Sequence, residues 1–529
     1  MKRLRLIAAI LLLAAIAPVF HRNTAQSQYQ PKAVFCAELS NNLCSLLPAY
    51  IGPDPRLKSN IGYPGLFGPL PKAFADDAQT PFDNMAWQMF VALNWAASAV
   101  KQPPSVGLTI SGPRVFQTYR KVSALFGDSP VTAACSNPNN LPVFNVGSNG
   151  RGKPMPNNEE FFQASTNLPL IDINGNWTLY ERRVNDTEAQ YLLAPGGNAA
   201  QTLTTLAGQA AFTAANPGGA KFTVSATTPI GKTGSIEIKT SWRIINPARG
   251  DDASRYYTQN VMLAVPGDLV TGGQKICAAP VTLGLVGMHI IQRNPPDPNN
   301  RALLPQWIWA TFEHVDNAPL AQLPCSVATG CPQGADWLNQ ASCGAAAPQP
   351  GRRYSYFDPR SNTSCTNNVP VPSSSPLPNY PWNATQPYAK GGTAPGTALP
   401  QATRCWSVYP TTQTINAQWQ SALAALKSVF KNYTLVGTQW GTAVELRSPG
   451  VPSNAVPGML SNITLETYIQ NYTGTEPNSP GPGSCIGCHS FATLAAQPSP
   501  APPPPQSDFS FLPFLAQPET ARSRMKTPR

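Results

Sequence analysis

The sequence has few charges, no internal repeat and only one apolar run of note, and each shortage excludes a class of protein. Only 12% of the 529 residues are charged, whereas 58 are proline and 39 are glycine, which favours short strands, turns and ordered loops over helical bundles. No segment repeats at the periods of solenoids or propellers. Beyond the N-terminal run, no apolar stretch is long enough to span a bilayer. We therefore expect a soluble α+β body, mostly antiparallel sheet with a few helices.

Basic residues are also too few in the body to predict nucleic-acid binding. The net charge is +11, but three basic residues lie in the first five positions, and without them it falls to about +8. Four more crowd the last eight positions, namely Arg522, Arg524, Lys526 and Arg529. Little basic surface remains, so no nucleic-acid partner is expected. A preference for acidic redox partners is compatible with the charge that is left.

The N-terminus has the pattern of an export signal. Residues 1–5 form a basic region and residues 6–17 an apolar one, which is too short for an ordinary spanning helix. Cleavage after Ala17 is opposed by Pro18, and the alternative after Ala25 lacks a small residue three positions earlier. We predict a signal peptide over residues 1–25 and a periplasmic protein. An uncleaved N-terminal anchor stays open as the alternative.

Five residues near the C-terminus, Cys485-Ile486-Gly487-Cys488-His489, predict a covalent haem. On one helical turn the two thiols reach the two vinyl groups of a haem, and the next residue presents its imidazole to the iron. The composition gives roughly 0.002 chance matches to this pattern. We therefore predict one haem c, with Cys485 and Cys488 as its thioether anchors and His489 as the proximal iron ligand.

Three other interpretations of the motif compete with haem attachment: a redox dithiol, a zinc knuckle, and a disulfide that happens to precede a histidine. A redox dithiol usually follows a strand early in a βαβ unit, and a zinc site needs a second pair of ligands. The sequence offers neither. In an oxidising compartment most of the nine other cysteines should pair, and Cys36 and Cys44 are close enough to close a small loop.

Apolar periodicity predicts the elements that surround the motif. Helices are expected at 82–97, 416–432 and, short and capped, 462–469; strands are expected at 177–182, 236–244, 257–265, 281–291, 307–315 and 434–437. A Cys- and Pro-rich insertion is expected at about 318–405. The predicted organisation is a signal over 1–25, a body over 26–460, a helical haem-attachment segment over 461–496, and a Pro-rich, basic tail over 497–529. The tail contains an apolar stretch, 509–515, that should dock somewhere.

Because only forty residues follow His489, the second ligand of a six-coordinate iron is expected to come from the body. The candidates are Met85, Met89, Met262, Met288, His289, His314 and Met459, of which the distal ligand is sought mainly among Met288, His289, His314 and Met459. Strand alternation places Met288 and His289 on opposite faces, so only one of them can face the haem.

The same alternation predicts a polar pocket. Glu237, Lys239, Ser241 and Arg243 share one face of their strand. The residues expected to line a pocket near the haem are Glu237, Lys239, His289 and either Glu313 or His314, and the candidate catalytic residues are Glu237, Lys239, His289 and His314. In the strand from Trp307, alternation places Trp309 and Glu313 on one face, and Phe312 and His314 on the other. A five-coordinate haem beside an acid or base activates peroxide, whereas a six-coordinate haem mainly passes electrons. Each histidine, taken alone, is also compatible with an ordinary hydrogen-bonded sheet residue.

The chain resembles a group of bacterial periplasmic proteins called cytochrome c family proteins, with one haem and a C-terminal CxxCH motif. The resemblance rests on segments 82–83, 87–95, 237–239, 307–309 and 312–317, on Trp242, and on the haem motif. It implies haem attachment at Cys485, Cys488 and His489 and a redox role, without an assigned substrate. The insertion and the tail lie outside it.

Together these observations predict an exported monohaem c-type cytochrome that transfers electrons among periplasmic redox partners. Two alternatives stay open. One is a haem-dependent oxidoreductase or peroxidase with an open distal site. The other is a binding protein whose haem is structural.

Overall fold

A computed structural model of the chain describes residues 43–48, 72–127, 135–146, 161, 163, 169–225, 232–294, 307–320, 347–358, 368, 382–389, 402–405, 408–440, 460–470, 483–495 and 505–516. The predicted signal at 1–25 and the candidate ligand Met459 lie outside these residues. In the described part, no helix is long and apolar enough to cross a membrane.

The described residues contain seven α-helices. They are α1 (Lys72–Leu93), α2 (Pro104–Gly107), α3 (Val122–Phe126), α4 (Asp186–Leu193), α5 (Leu206–Ala215), α6 (Pro410–Ala425) and α7 (Cys485–His489). The strands are β1 (Arg120–Lys121), β2 (Val143–Asn145), β3 (Leu179–Val184), β4 (Ile236–Ile244), β5 (Thr258–Val265), β6 (Ile276–Arg293), β7 (Trp307–His314) and β8 (Tyr433–Trp440). The fold is α+β with a mostly antiparallel sheet, which confirms the predicted class.

All eight strands belong to one sheet built around the long strand β6. One edge of β6 pairs with β4, which leads on to β3 and β1. The other edge pairs with β5 along the first half of β6 and with β7 along the second half, and β7 pairs with β8. Every pairing is antiparallel except that of β2 with β5. The sheet therefore divides after the middle of β6 into two branches.

One face of this sheet is covered by α1 and α6. Phe312 of β7 stacks on Phe90 with ring centroids 4.2 Å apart, and Trp440 of β8 stacks on Phe82 at 4.5 Å. Met288 points to this face and accepts a hydrogen bond from the Asn94 amide. The main apolar core lies here, because alternate strand residues and both helices turn their apolar side chains toward it. We call this side the helical face.

The opposite face is covered by three segments from the C-terminal part of the chain, 460–470, 483–495 and 505–516. Thr464 contacts Ser241 of β4, with 2.6 Å between the hydroxyl oxygens, and Asn462 donates to the Thr311 hydroxyl of β7 at 2.8 Å. Arg293 of β6 donates to Asp508 at 3.1 Å. We call this side the motif face, because α7 lies on it.

The predicted strands are all present, with small shifts at their ends, but the predicted helix boundaries were less accurate. The first helix begins ten residues earlier than predicted, beyond Pro81, and ends at Leu93, where the Asn94 amide donates to the Phe90 carbonyl. Helix α6 ends at Ala425 because Lys427 adopts a left-handed conformation, with φ of 56°. A separate 3₁₀ turn, Val429–Asn432, follows it.

The predicted capped helix at 462–469 is wrong. The segment is a turn followed by a short 3₁₀ helix, Thr467–Ile469. Asn462 accepts from the Thr464 amide and donates to the Phe312 carbonyl. Because this side chain hydrogen-bonds to the sheet, the segment is fixed to the strands and does not wind into a full helix.

Cysteine pairing is partly visible in the described residues. Cys135 and Cys277 form a disulfide with each other. Cys44 and Cys405 each take part in a disulfide whose partner lies outside the described residues. Cys36, the predicted partner of Cys44, lies outside the described residues. Within the predicted insertion, which was expected at the surface, Trp382 is fully buried in the main core.

Candidate functional site

The motif residues Cys485, Cys488 and His489 form the short helix α7. Ser484 precedes the helix in an extended conformation, and its hydroxyl accepts the Gly487 amide at 3.2 Å, which is the usual role of serine at a helix start. Gln439 of β8 accepts the Ile486 amide through Oε1 at 2.8 Å. Ser484 and Gln439 are both fully buried. The start of the motif helix is therefore fixed to the edge of the sheet.

The two motif cysteines carry thiols, in contrast to the disulfides elsewhere in the chain. Both are half-buried, one helical turn apart, and the Cys485 thiol lies 3.5 Å from the Leu460 carbonyl. Burial, followed by the charge of Glu466, raises the pKa of Cys485 well above its ordinary value. A redox dithiol needs a lowered pKa at its attacking cysteine, so this environment disfavours that interpretation. In the described part of the chain, no cluster of three ligands could form a zinc knuckle.

His489 is held in one tautomer. Its Nδ1 lies 2.7 Å from the Phe509 carbonyl oxygen, and because a carbonyl can only accept, Nδ1 carries the proton. Burial is the main cause that lowers the His489 pKa to about 4, so the ring is neutral near pH 7. The lone pair is consequently on Nε2. A histidine arranged in this way is ready to bind a metal through Nε2.

Aromatic rings surround His489. The Trp309 ring lies 6.0 Å away and the Phe511 ring 5.1 Å away, while Phe509 packs edge-on against Trp309 at 5.8 Å. The Trp309 indole nitrogen is buried and has no hydrogen-bond partner within the described residues. These rings provide an apolar wall beside the imidazole, with one unused donor in it.

Next to this wall, a polar group lies on the same face of the sheet. Strand register places Lys239, His289 and Thr311 side by side on three adjacent strands. His289 Nε2 is 2.8 Å from Glu466 Oε1, and the other Glu466 oxygen accepts the Asn462 amide at 2.8 Å. Burial alone would raise the Glu466 pKa, but His289 and Lys239 together lower it below its ordinary value.

The polar group and the motif interact electrostatically. The charge of Glu466 contributes to the raised pKa of Cys485, and the charges of His289 and Lys239 contribute to the lowered pKa of His489. Two of the four predicted catalytic candidates, Lys239 and His289, are therefore near the Cys485–His489 motif.

Glu237, the third candidate, lies two residues before Lys239 on β4, so its side chain is on the same face of the strand. It forms a carboxyl pair with the fully buried Glu188, and burial is the main cause that raises the pKa of both groups. The Ser510 side chain is close enough to Glu237 to lower its pKa. Ser510 belongs to the same C-terminal segment that holds His489.

The fourth candidate, His314, lies apart from the motif at the other end of β7. Its ring stacks on Tyr256 at 4.0 Å, its Nε2 is 2.9 Å from the Arg255 carbonyl oxygen, and its Nδ1 accepts the Asp316 amide at 3.2 Å. Burial is the main cause that lowers its pKa to about 4. Both ring nitrogens are occupied, which is the arrangement of a hydrogen-bonded sheet histidine.

The methionine candidates that the structure describes are not brought to the motif. Met288 points to the helical face, opposite His289 on the motif face, as strand alternation predicted. Met85 and Met89 are buried in the same core, and Met262 of β5 is buried outside it. Of Met288, His289 and His314, only His289 shares a face with the motif.

Several residues that shape the site were not identified from the sequence. Ser484 could have been, because serine just before a helix is a capping signal. Gln439, Glu466 and the Phe509 carbonyl could not, because nothing in their local sequence indicates that they meet a helix far along the chain. Comparison with protein-family models, curated proteins and solved structures gave no match to this chain.

Proposed function

We propose that this chain is an exported monohaem c-type cytochrome that transfers electrons in the periplasm. The observation that carries the proposal is the geometry of α7. Two thiols lie one turn apart, and the adjacent His489 donates from Nδ1 to a backbone carbonyl, which leaves Nε2 for a metal. A histidine that merely followed a disulfide would not need this orientation.

The donor set fits a haem. Cys485 and Cys488 would hold it covalently, and His489 would be the axial ligand. Trp309 offers an unused indole donor on the motif face, and Lys239 offers a cation there; both are groups that bind carboxylates such as haem propionates. A haem bound there would supply one-electron iron chemistry at an accessible potential.

The surrounding residues have defined tasks in this proposal. Ser484 and Gln439 fix the helix start, and so fix the direction of both thiols. Trp309 and Phe511 exclude water from the side of the imidazole, and the exclusion of water is one means by which a protein sets a reduction potential. The remaining net charge favours acidic redox partners.

The test is to express the full chain with its N-terminal signal in a host that has a cytochrome c maturation system. Absorption spectra of the purified protein are recorded oxidised, reduced and after addition of carbon monoxide, together with a redox titration. Reversible one-electron cycling with a low-spin spectrum that carbon monoxide leaves unchanged would support electron transfer. A haem that does not cycle would refute it and favour a structural haem.

A second candidate, a haem-dependent oxidoreductase, is favoured by one observation. His289 is oriented by Glu466 in a polar group beside the motif, and a histidine with a carboxylate partner is a common general acid or base. A high-spin spectrum that changes with carbon monoxide, together with peroxide turnover that falls in H289A, would support this candidate. In that case E466Q should retain the haem and lose most of the turnover.

A further inference from the structure

The backbone that holds His489 adopts an unusual conformation. Asp508 and Phe509 both have positive φ values, 53° and 69°. Three other non-glycine residues in the described part of the chain do so, and none of those is adjacent to another. The left-handed region is disfavoured for a residue with a side chain, above all for an aromatic one. Such strain persists only where the surroundings fix it, and it is found most often at functional sites.

Asp508 is the residue that fixes this turn to the body. Its Oδ2 accepts the Phe222 amide at 2.8 Å and Arg293 Nε at 3.1 Å. Arg293 in turn lies over the Trp307 ring, 5.7 Å from its centroid. The Asp508 side chain is almost fully buried. One carboxylate therefore joins the turn to the end of β6 and to the segment before β4.

The turn is also closed on itself and on the motif segment. The Ser507 hydroxyl donates to the Ser510 carbonyl, and the Ser507 amide donates to the Ala492 carbonyl at 3.1 Å. An antiparallel bridge joins Thr493 to Gln506. With Asp508 held on one side and Ala492 on the other, the carbonyl of Phe509 has a fixed direction.

That carbonyl is the acceptor of the His489 Nδ1 proton, at 2.7 Å. It thereby sets the tautomer and the ring orientation of His489. The partner of the second imidazole nitrogen also sets how basic the coordinating nitrogen is, and thereby tunes a bound metal. The carbonyl that orients His489 thus belongs to Phe509, which is joined directly to Asp508 by one peptide bond.

We propose that Asp508 is a positioning residue for the proximal ligand: by anchoring the left-handed turn at 508–509, it aims the Phe509 carbonyl at His489 and so fixes the orientation of the imidazole. This rests on the proposed function for its effect on a haem. The orientation of His489 in the protein without haem does not depend on that function, which allows the two to be tested separately.

The experiment compares D508A and D508N with the full-length wild type. Asparagine tolerates the left-handed region and keeps an oxygen acceptor, so D508N should retain most of the turn, whereas alanine loses both. The control is Q209A, because the Gln209 side chain donates to the Pro513 carbonyl of the same segment, accepts the Ala495 amide of the motif segment, and makes no hydrogen bond to the turn at 508–509. It reports the effect of loosening the segment without moving the Phe509 carbonyl.

Two readouts are needed. In the protein without haem, ¹⁵N spectra of histidine-labelled samples should show His489 as the Nδ1-protonated tautomer in wild type, Q209A and D508N, and as a mixture in D508A. In the haem-loaded protein, D508A should shift the reduction potential and the ligand-field bands more than Q209A does, with D508N between D508A and wild type.

An unchanged tautomer in D508A, or equal shifts in D508A and Q209A, would overturn the proposal. If D508A does not fold, D508N decides alone: a reduction potential shifted no further from wild type than that of Q209A would refute the role of the carboxylate. A wild-type protein without covalent haem would instead refute the proposed function and leave the tautomer result intact.

Discussion

Asp83 of helix α1 gives the clearest quantitative prediction, because it is a fully buried carboxyl group in the contact between α1 and α6. Its Oδ1 accepts from Gln79 at 2.8 Å, and its Oδ2 accepts from the Thr412 hydroxyl. Burial is the main cause that raises its pKa from 3.8 to about 6. The same Gln79 amide also donates to the Thr438 carbonyl of β8, next to the residue that holds the motif helix.

The direction of the pH effect follows from the raised pKa. Between pH 4 and pH 6 the folded protein keeps the Asp83 proton and the unfolded chain loses it, so the free energy of unfolding falls as the pH rises. The contribution of the Asp83 proton to the free energy of unfolding is fully present below pH 3.8 and is lost as the pH rises above 6. Two pH units at about 1.4 kcal/mol each give about 3 kcal/mol.

D83N should remove this dependence. The amide oxygen can still accept one hydrogen bond, and the Thr412 hydroxyl can rotate to accept from the amide nitrogen. Between pH 4 and pH 7.5, the free energy of unfolding of wild type should therefore fall by about 3 kcal/mol relative to that of D83N. Denaturant unfolding followed by tryptophan fluorescence at a series of pH values measures it.

The control for this prediction is D186N, at an exposed ion pair with Arg120. Exposed pairs contribute less than about 1 kcal/mol, so that variant should follow wild type across the series. A D83N curve that runs parallel to wild type from pH 4 to pH 7.5 would show that burial does not raise the Asp83 pKa in the folded protein.

Three further predictions concern other parts of the molecule. As the pH falls from 6.5 to 4, the free energy of unfolding of H314Q should fall by about 3 kcal/mol less than that of wild type. Burial lowers the His314 pKa to about 4, so in wild type only the unfolded chain takes up a proton in this range. Acid unfolding curves of the two proteins test this. Q439L should cost about 1–3 kcal/mol by leaving the buried Ile486 amide without its acceptor, and should lower the ratio of haem to protein. Q439E keeps an acceptor for this amide and should keep that ratio closer to wild type; equal ratios of haem to protein in the two variants would contradict the prediction. The double replacement C135S/C277S should lower the free energy of unfolding by about 2–5 kcal/mol, as measured by thermal or denaturant unfolding. The variant protein should still carry haem; a folded variant without haem would contradict the assignment of haem attachment to Cys485 and Cys488.

Much of the sheet could be predicted because a strand pattern repeats every two residues. The alternation of 283–291 separated Met288 from His289, and the structure places these residues on opposite faces. The alternation from Trp307 likewise separated Trp309 and Glu313 from Phe312 and His314. In the structure Trp309 packs beside His489, whereas Phe312 packs on α1.

Helix ends were harder to predict, because they depend on single hydrogen bonds and single backbone angles. Asn94 closes α1 with its own side chain, and Lys427 ends α6 by turning left-handed. In the segment from Asn462, polar side chains that resemble helix caps hydrogen-bond to the sheet. Local sequence does not reveal which of these partners will be nearby.

The candidate site was predictable to a similar extent. The motif itself, and the placement of Lys239 and His289 on one polar face, follow from spacing and alternation. The partner of His489 is a backbone carbonyl twenty residues later, and every residue has a carbonyl. Its selection depends on the turn at Asp508, and that turn depends on Arg293 from a distant strand.

The most direct test of the central claim is intact mass spectrometry of the exported, full-length protein under denaturing conditions. If Cys485 and Cys488 bind haem covalently, the mass should increase by one haem per chain in wild type, not at all in C485A/C488A, and in C135S/C277S by the same amount as in wild type. A wild-type chain without added haem, purified from a host that attaches haem to a control cytochrome in the same preparation, would exclude covalent haem attachment.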